Sequence, residues 1–173
     1  MAPPIASAAS ASPNPVVNAS TTSLSVTAND ADSGPSALTY TWSKVSGPGT
    51  VNFSPNGTTG ASVSTATFGS SGTYSLMVTV SDGAATVTST ISGLVVTLPT
   101  PPSITTQPGN QSVIAGSTAT FTVGASGSAT LTYQWQKNSV NIGGATGTSY
   151  TTPATVTGDS GSTYRVVVTN SFG

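Results

Sequence analysis

The chain has 173 residues, a net charge of −1 at pH 7 and only 4% charged residues, against about 25% in ordinary soluble domains. Three basic residues exclude electrostatic binding to nucleic acid. The absence of His, Cys and Glu removes the usual means of acid–base and nucleophilic catalysis and any disulfide. The remaining polarity comes from Ser and Thr, and the wealth of Val and Thr favours strands over disorder.

The N-terminal stretch "APPIASAASASPNPVV" is uncharged and extended, and it lacks the basic residues and apolar core of a secretory leader. "SLSVTA" then places Leu24 and Val26 on one face of a strand. "ANDADSG" reads as a turn. "LTYTWS" aligns Leu38, Tyr40 and Trp42, and "TYSLMVTV" aligns Tyr74, Leu76, Val78 and Val80. An Asp82-Gly83 hairpin turn leads into "ATVTSTISGLVVTL", the last strand of the first half. "TLPTPPS", residues 97–103, is a Pro-rich, semi-rigid linker that divides the chain into domains 1–98 and 99–173. In the second half "ATFTV" aligns Ala119, Phe121 and Val123, "LTYQW" aligns Leu131, Tyr133 and Trp135, and "TYRVVV" aligns Tyr164, Val166 and Val168. The "TNSFG" hairpin turn follows, and a further strand is expected after it.

No stretch carries a helical apolar stripe, and no apolar run approaches the roughly 18 residues of a membrane span. Each half repeats one plan: a Leu-x-Tyr-x-Trp strand, then a Gly-rich turn and a Tyr-led strand. The expected fold is all-β, with two tandem immunoglobulin-like β-sandwiches joined by the Pro-rich linker. The second sandwich is expected to lack its last strand.

Residues 101–173 resemble a bacterial immunoglobulin-like domain through "AGSTATFTV", Trp135 in "YQWQKN" and "DSGSTYRVVVTN". The resemblance puts Val123 and Val166 where many such domains carry paired Cys, and Tyr164 at the tyrosine-corner position. Residues 3–98 resemble a PKD-like module through "ASPNPV", "SALTYTWSKVSGPGTVNFSPNG" and "GTYSLMVTVSDG", without the aromatic and Gly-Asp-Gly of the best-known PKD pattern. Both resemblances imply a non-catalytic, extracellular or cell-surface module of a bacterial secreted hydrolase, adhesin or other long protein, acting as a spacer or binding unit.

Trp42 and Trp135 are in phase with Leu38 and Leu131, which points to core positions rather than sugar platforms. Tyr74 and Tyr164 are expected as corner or core residues, and Tyr150 and Phe172 as exposed contact residues. Asn29, Asp30, Asp32 and Asp82 could form part of a calcium cage, but Asp also makes such turns unaided, so no metal and no cofactor are expected. Lys44 reads as a strand-end lysine, and Asp159 as fixing the loop before Tyr164. The expected interaction residues are Tyr164, Val166 and Val168 on the last strand, with Ile5, Val16 and Val17 as candidates to complete that strand's edge in a neighbouring molecule. Three functions follow as expectations: a structural or adhesive module, a filament subunit completed by strand donation between identical copies, or a carbohydrate-binding accessory of a glycoside hydrolase. The expected partners are other domains of a longer chain, identical subunits or a polysaccharide.

Overall fold

The computed structural model describes residues 3–30 and 37–173, so Asp32 lies outside the described residues. The chain divides into two compact units, Met1–Leu98 and Pro99–Gly173. Among the described residues there is no α-helix, and no helix is long and apolar enough to cross a membrane.

The first unit contains β1 (Ile5–Ser12), β2 (Val16–Val17), β3 (Thr21–Ala28), β4 (Thr39–Ser46), β5 (Val51–Ser54), β6 (Val63–Phe68), β7 (Gly72–Ser81) and β8 (Thr86–Thr97). Two four-stranded sheets, ordered β1-β3-β6-β5 and β2-β8-β7-β4, face each other. Period-two alternation drives the packing. Along β3 every second residue, Thr22, Leu24, Val26 and Ala28, is buried, and along β7 the buried set is Tyr74, Leu76, Val78 and Val80. Each fully buried Leu or Val contributes about 1.5–3 kcal/mol. The outward positions of the same strands are mostly Ser and Thr, which explains how so uncharged a chain covers its surface.

The N-terminal stretch corrects one expectation. It is not a free segment available to a neighbour. Ile5–Ser12 pairs antiparallel with β3, Val16 is fully buried in its own domain, and Val16–Val17 pairs parallel with Val96–Thr97. The physical reason is edge protection: β3 and β8 would otherwise each present an unpaired ladder. Ile5, Ala9 and Ala11 also gain cover against the first core.

The second unit contains β9 (Ser103–Thr106), β10 (Thr120–Thr122), β11 (Gly124–Ser126), β12 (Thr132–Lys137), β13 (Val140–Asn141), β14 (Ser149–Thr151) and β15 (Tyr164–Thr169). β11 pairs with β9, β10 with β14, and the third sheet has the order β13-β12-β15. Ile104, Phe121, Val123 and Tyr150 pack against Trp135, Tyr133, Tyr164 and Val166 across the interior. This core is thinner than the first. Only Ala119, Phe121, Val123 and Trp135 are its buried apolar residues, while Tyr164, Val166 and Val168 on β15 are half-buried.

Candidate interaction edge and cleft

Both tryptophans are core residues. Trp42 faces Val78 on β7 and donates its indole N–H to the Ala61 carbonyl (2.8 Å). Trp135 faces Val166 on β15 and donates to the Gly147 carbonyl (2.9 Å). A buried indole N–H needs such an acceptor. Asn56 supports the first tryptophan. Its Oδ1 accepts the Trp42 backbone N–H (2.7 Å) and its Nδ2 donates to the Trp42 carbonyl (3.0 Å), standing in for a missing ladder residue.

Tyr74 makes a tyrosine corner, donating its hydroxyl to the Ser70 carbonyl (2.6 Å). Burial pushes its phenol above the ordinary value, partly offset by that hydrogen bond. Tyr164 instead belongs to an aromatic cluster. Its ring stacks on Phe121 at 4.7 Å and on Tyr150 at 6.0 Å, and Tyr150 lies 6.2 Å from Trp135. Tyr150 is therefore a half-buried core neighbour rather than the exposed contact expected of it. Phe172 is 42% exposed, as a contact residue would be.

Beside Tyr164 opens a cleft of about 650 Å³. Phe121, Ala119 and Tyr164 supply apolar lining, Asn110–Val113 forms one wall, and Ser162–Tyr164 enters the other. Val113, which lines it, and its chain neighbour Ile114 are 41% and 80% exposed, a high value for two adjacent branched residues. Lys137 lies over Tyr164. Its ammonium lies 5.9 Å from the Tyr164 ring centroid and pairs with Asp159, whose other oxygen accepts the Val156 N–H (2.9 Å). The Lys137 hydrogen bond, then the Val156 N–H, hold the Asp159 carboxyl below its ordinary value, and the same pair raises Lys137.

β15 is an edge strand, paired only with β12. The alternation of an antiparallel ladder decides which backbone groups are spent. Asn138 N–H donates to the Thr163 carbonyl, which sets Thr163, Arg165, Val167 and Thr169 toward β12. The Asn170 N–H, of the opposite parity, donates to Gly173 (2.9 Å) on the far side. The backbone groups of Tyr164, Val166 and Val168 therefore face the open edge.

Of the residues considered for calcium, Asp32 lies outside the described residues, and the other three make contacts of their own. Asp82 accepts the N–H groups of Ala84 (2.8 Å) and Ala85 (2.6 Å), and those two bonds, Ala85 first, lower its pKa. The Asn29 N–H donates to the Pro4 carbonyl. Asp30 is engaged in its own interactions, and no group of three potential acidic, His or Cys metal ligands occurs among the described residues. Lys44 donates to the carbonyls of Gly47 and Gly49, tying down the loop beside Tyr74.

Residues 11–96 match the family described as K319L-like, PKD domain, and residues 101–170 match the family described as immunoglobulin domain. Over 80 residues the chain is 42% identical to Endoglucanase C of Cellulomonas fimi, covering 44% of this chain and 7% of that enzyme. Among solved structures it is similar to the I-band fragment I67–I69 of titin, with a TM-score of 0.56, 15% identity, and coverage of 99% of this chain and 62% of the other. A mutated variant of the same titin domains gives 0.55 at 16% identity, covering 98% of this chain and 62% of that one. At these identities the likeness establishes the fold alone, a tandem of immunoglobulin-like sandwiches.

Proposed function

For a chain that carries a PKD domain at residues 11–96 followed by an immunoglobulin domain at 101–170, we propose a non-catalytic structural or adhesive role, as an extracellular module of a longer secreted or surface protein. The observation that carries the reading is where the chemistry has gone. The aromatic residues that could hold a ligand, Trp42, Trp135, Tyr74 and Tyr150, sit in or against cores, and the acids Asp82 and Asp159 fix turns. What remains outside is a hydroxyl-rich sheet surface with very little charge. Such a surface suits a spacer or a weakly adhesive unit. The chain spans 7% of the endoglucanase it resembles, a share that suits one module among several.

That similarity also supports a second reading, a carbohydrate-binding accessory. The test is a pull-down on insoluble cellulose at micromolar protein, with a reducing-sugar assay on the supernatant. The module reading expects the protein to stay in solution and no sugar to appear. Retention on the polymer would favour the accessory reading, and released sugar would overturn both.

A further inference from the structure

β4 ends the sheet order β2-β8-β7-β4, with β7 on one side. On its other side residues 56–58 take the place of a strand. The Tyr40 N–H donates to the Thr58 carbonyl (3.1 Å), and the Gly57 N–H donates to the Tyr40 carbonyl (2.9 Å). Two residues along β4, the Asn56 side chain accepts the Trp42 N–H and donates to the Trp42 carbonyl. An amide can do both because it carries a donor and an acceptor, whereas a carboxylate only accepts. The seal over the Trp42 backbone therefore depends on Asn56 remaining an amide.

Asn56 stands in the one Asn-Gly pair of the chain. Gly57 has no side chain to shield its nitrogen, and that nitrogen lies 3.1 Å from Asn56 Oδ1, so a nucleophile and an electrophilic carbon are neighbours. In deamidation the Gly57 nitrogen attacks Asn56 Cγ. The N–Cγ bond forms, the Cγ–Nδ2 bond breaks, and the side-chain nitrogen leaves as ammonia with the proton that Gly57 gives up. Water then opens the five-membered imide, at Cγ to give Asp or at the backbone carbonyl to give isoaspartate. The folded geometry opposes the first step twice. The proton that must leave is shared between the Tyr40 carbonyl and Oδ1. The Asn56 amide is held at both ends by the Trp42 backbone, so it cannot turn the face of Cγ toward the nitrogen.

We propose that Asn56-Gly57 is a deamidation site guarded by its own hydrogen bonds, which reacts when residues 56–58 lift off β4 and then cannot close again. With Asp at 56 a carboxylate oxygen faces the Trp42 carbonyl, two acceptors with no proton between them. Isoaspartate lengthens the backbone by one carbon and throws Gly57 and Thr58 out of register with Tyr40. Either product leaves the outward backbone groups of β4 uncovered, the exposed condition that sheet edges are built to avoid. The inference holds whether the module is a spacer or a binding unit.

The first test ages the full chain at mildly alkaline pH, natively and in guanidinium chloride, and maps its peptides by mass spectrometry. Conversion exchanges NH for O, a mass change that isomerisation at Asp82-Gly83 does not produce. In denaturant Asn56 should convert faster than Asn138 and Asn170, each of which precedes Ser. In the native chain its conversion should be slower by roughly 10-fold or more, the factor by which local opening limits access. The second test reads amide hydrogen exchange in Asn56→Asp. The Trp42 N–H should exchange roughly 10-fold faster than in the unaltered chain, while Thr41 and Ser43, whose N–H groups face β7, keep their protection. Equal rates in the native and denatured chains would overturn the guarding role of the hydrogen bonds. Conversion no faster than at Asn138 and Asn170 in denaturant would overturn the site itself. Unchanged Trp42 exchange in Asn56→Asp would overturn the dependence of the seal on the amide. The ageing comparison needs no variant and decides the proposal even where Asn56→Asp fails to fold.

Discussion

Replacing Tyr74 with Phe removes one oxygen from the centre of the first domain and leaves everything else in place. The ring is fully buried and packs at 4.8 Å against Phe68, contacts that Phe retains. What goes is the 2.6 Å hydrogen bond to the Ser70 carbonyl. A typical net hydrogen bond is worth about 0.5–1.5 kcal/mol, and stranding a buried partner costs about 1–3 kcal/mol. Ser70 is only partly buried, so water can reach its carbonyl and the lower part of that range applies. The expected loss is therefore about 1–2 kcal/mol. For a domain of this size each kcal/mol moves Tm by about 4–8 °C. The first domain should thus melt roughly 5–15 °C lower by scanning calorimetry, while the second domain's transition serves as an unchanged internal reference. A shift below about 2 °C, well short of one kcal/mol, would show that the corner bond contributes nothing net. An equal shift of both transitions would refute the independence of the two cores.

Gly47→Ala should cost more than Tyr74→Phe. At φ +121° an added Cβ would lie 2.4 Å from the Tyr74 ring, so strain and overpacking together cost about 2–4 kcal/mol, measured by urea denaturation of the first domain. Asn170→Ala removes the side-chain bonds to Thr100, Ser128 and Phe172. It should lower the stability of the second domain alone by about 1–3 kcal/mol, read from Trp135 fluorescence in a Trp42→Phe background. The depressed Asp159 carboxyl stabilises the second domain fully above its ordinary pKa of 3.8, and that contribution is lost as pH falls through the lower folded value. Lys137, raised above 10.5, loses its contribution only as pH rises through its folded value. Lys137→Met should therefore flatten both arms of a stability–pH profile. Adding calcium at about 1 mM, the weak end of extracellular sites, should leave both melting temperatures unchanged. A rise of the first transition that EDTA reverses would bring Asn29, Asp30, Asp32 and Asp82 back as ligands.

The strands and their inward faces were legible in the sequence, because period two is a local property. Leu24 with Val26, Tyr74 through Val80, and Trp42 and Trp135 all announce their burial by spacing alone, and the tertiary structure buries them. The β6 strand was harder to read. Its inward residues include Ser64 and Ala66, small groups that leave no apolar alternation to see. Partnership across the chain could not be read at all. Ile5–Ser12 and Val16–Val17 look like any uncharged extended segment. Only the assembled sheets show that β3 and β8 have free edges within reach for them to close. Nothing in the sequence around Asn56 marks it as a structural residue, but folding places its amide on the Trp42 backbone fourteen residues away. Tyr150 gave no strand phase strong enough to assign it a core role, and stacking with Tyr164 decides its place. The open edge of β15 lies between these cases. The turn after Thr169 was visible as a sequence, while the cleft beside Tyr164 exists only because residues 108–113 and 162–164 are brought to its two sides. Local periodicity depends on neighbours along the chain, whereas an edge and its cover depend on hydrogen-bonding groups contributed by segments far apart in sequence.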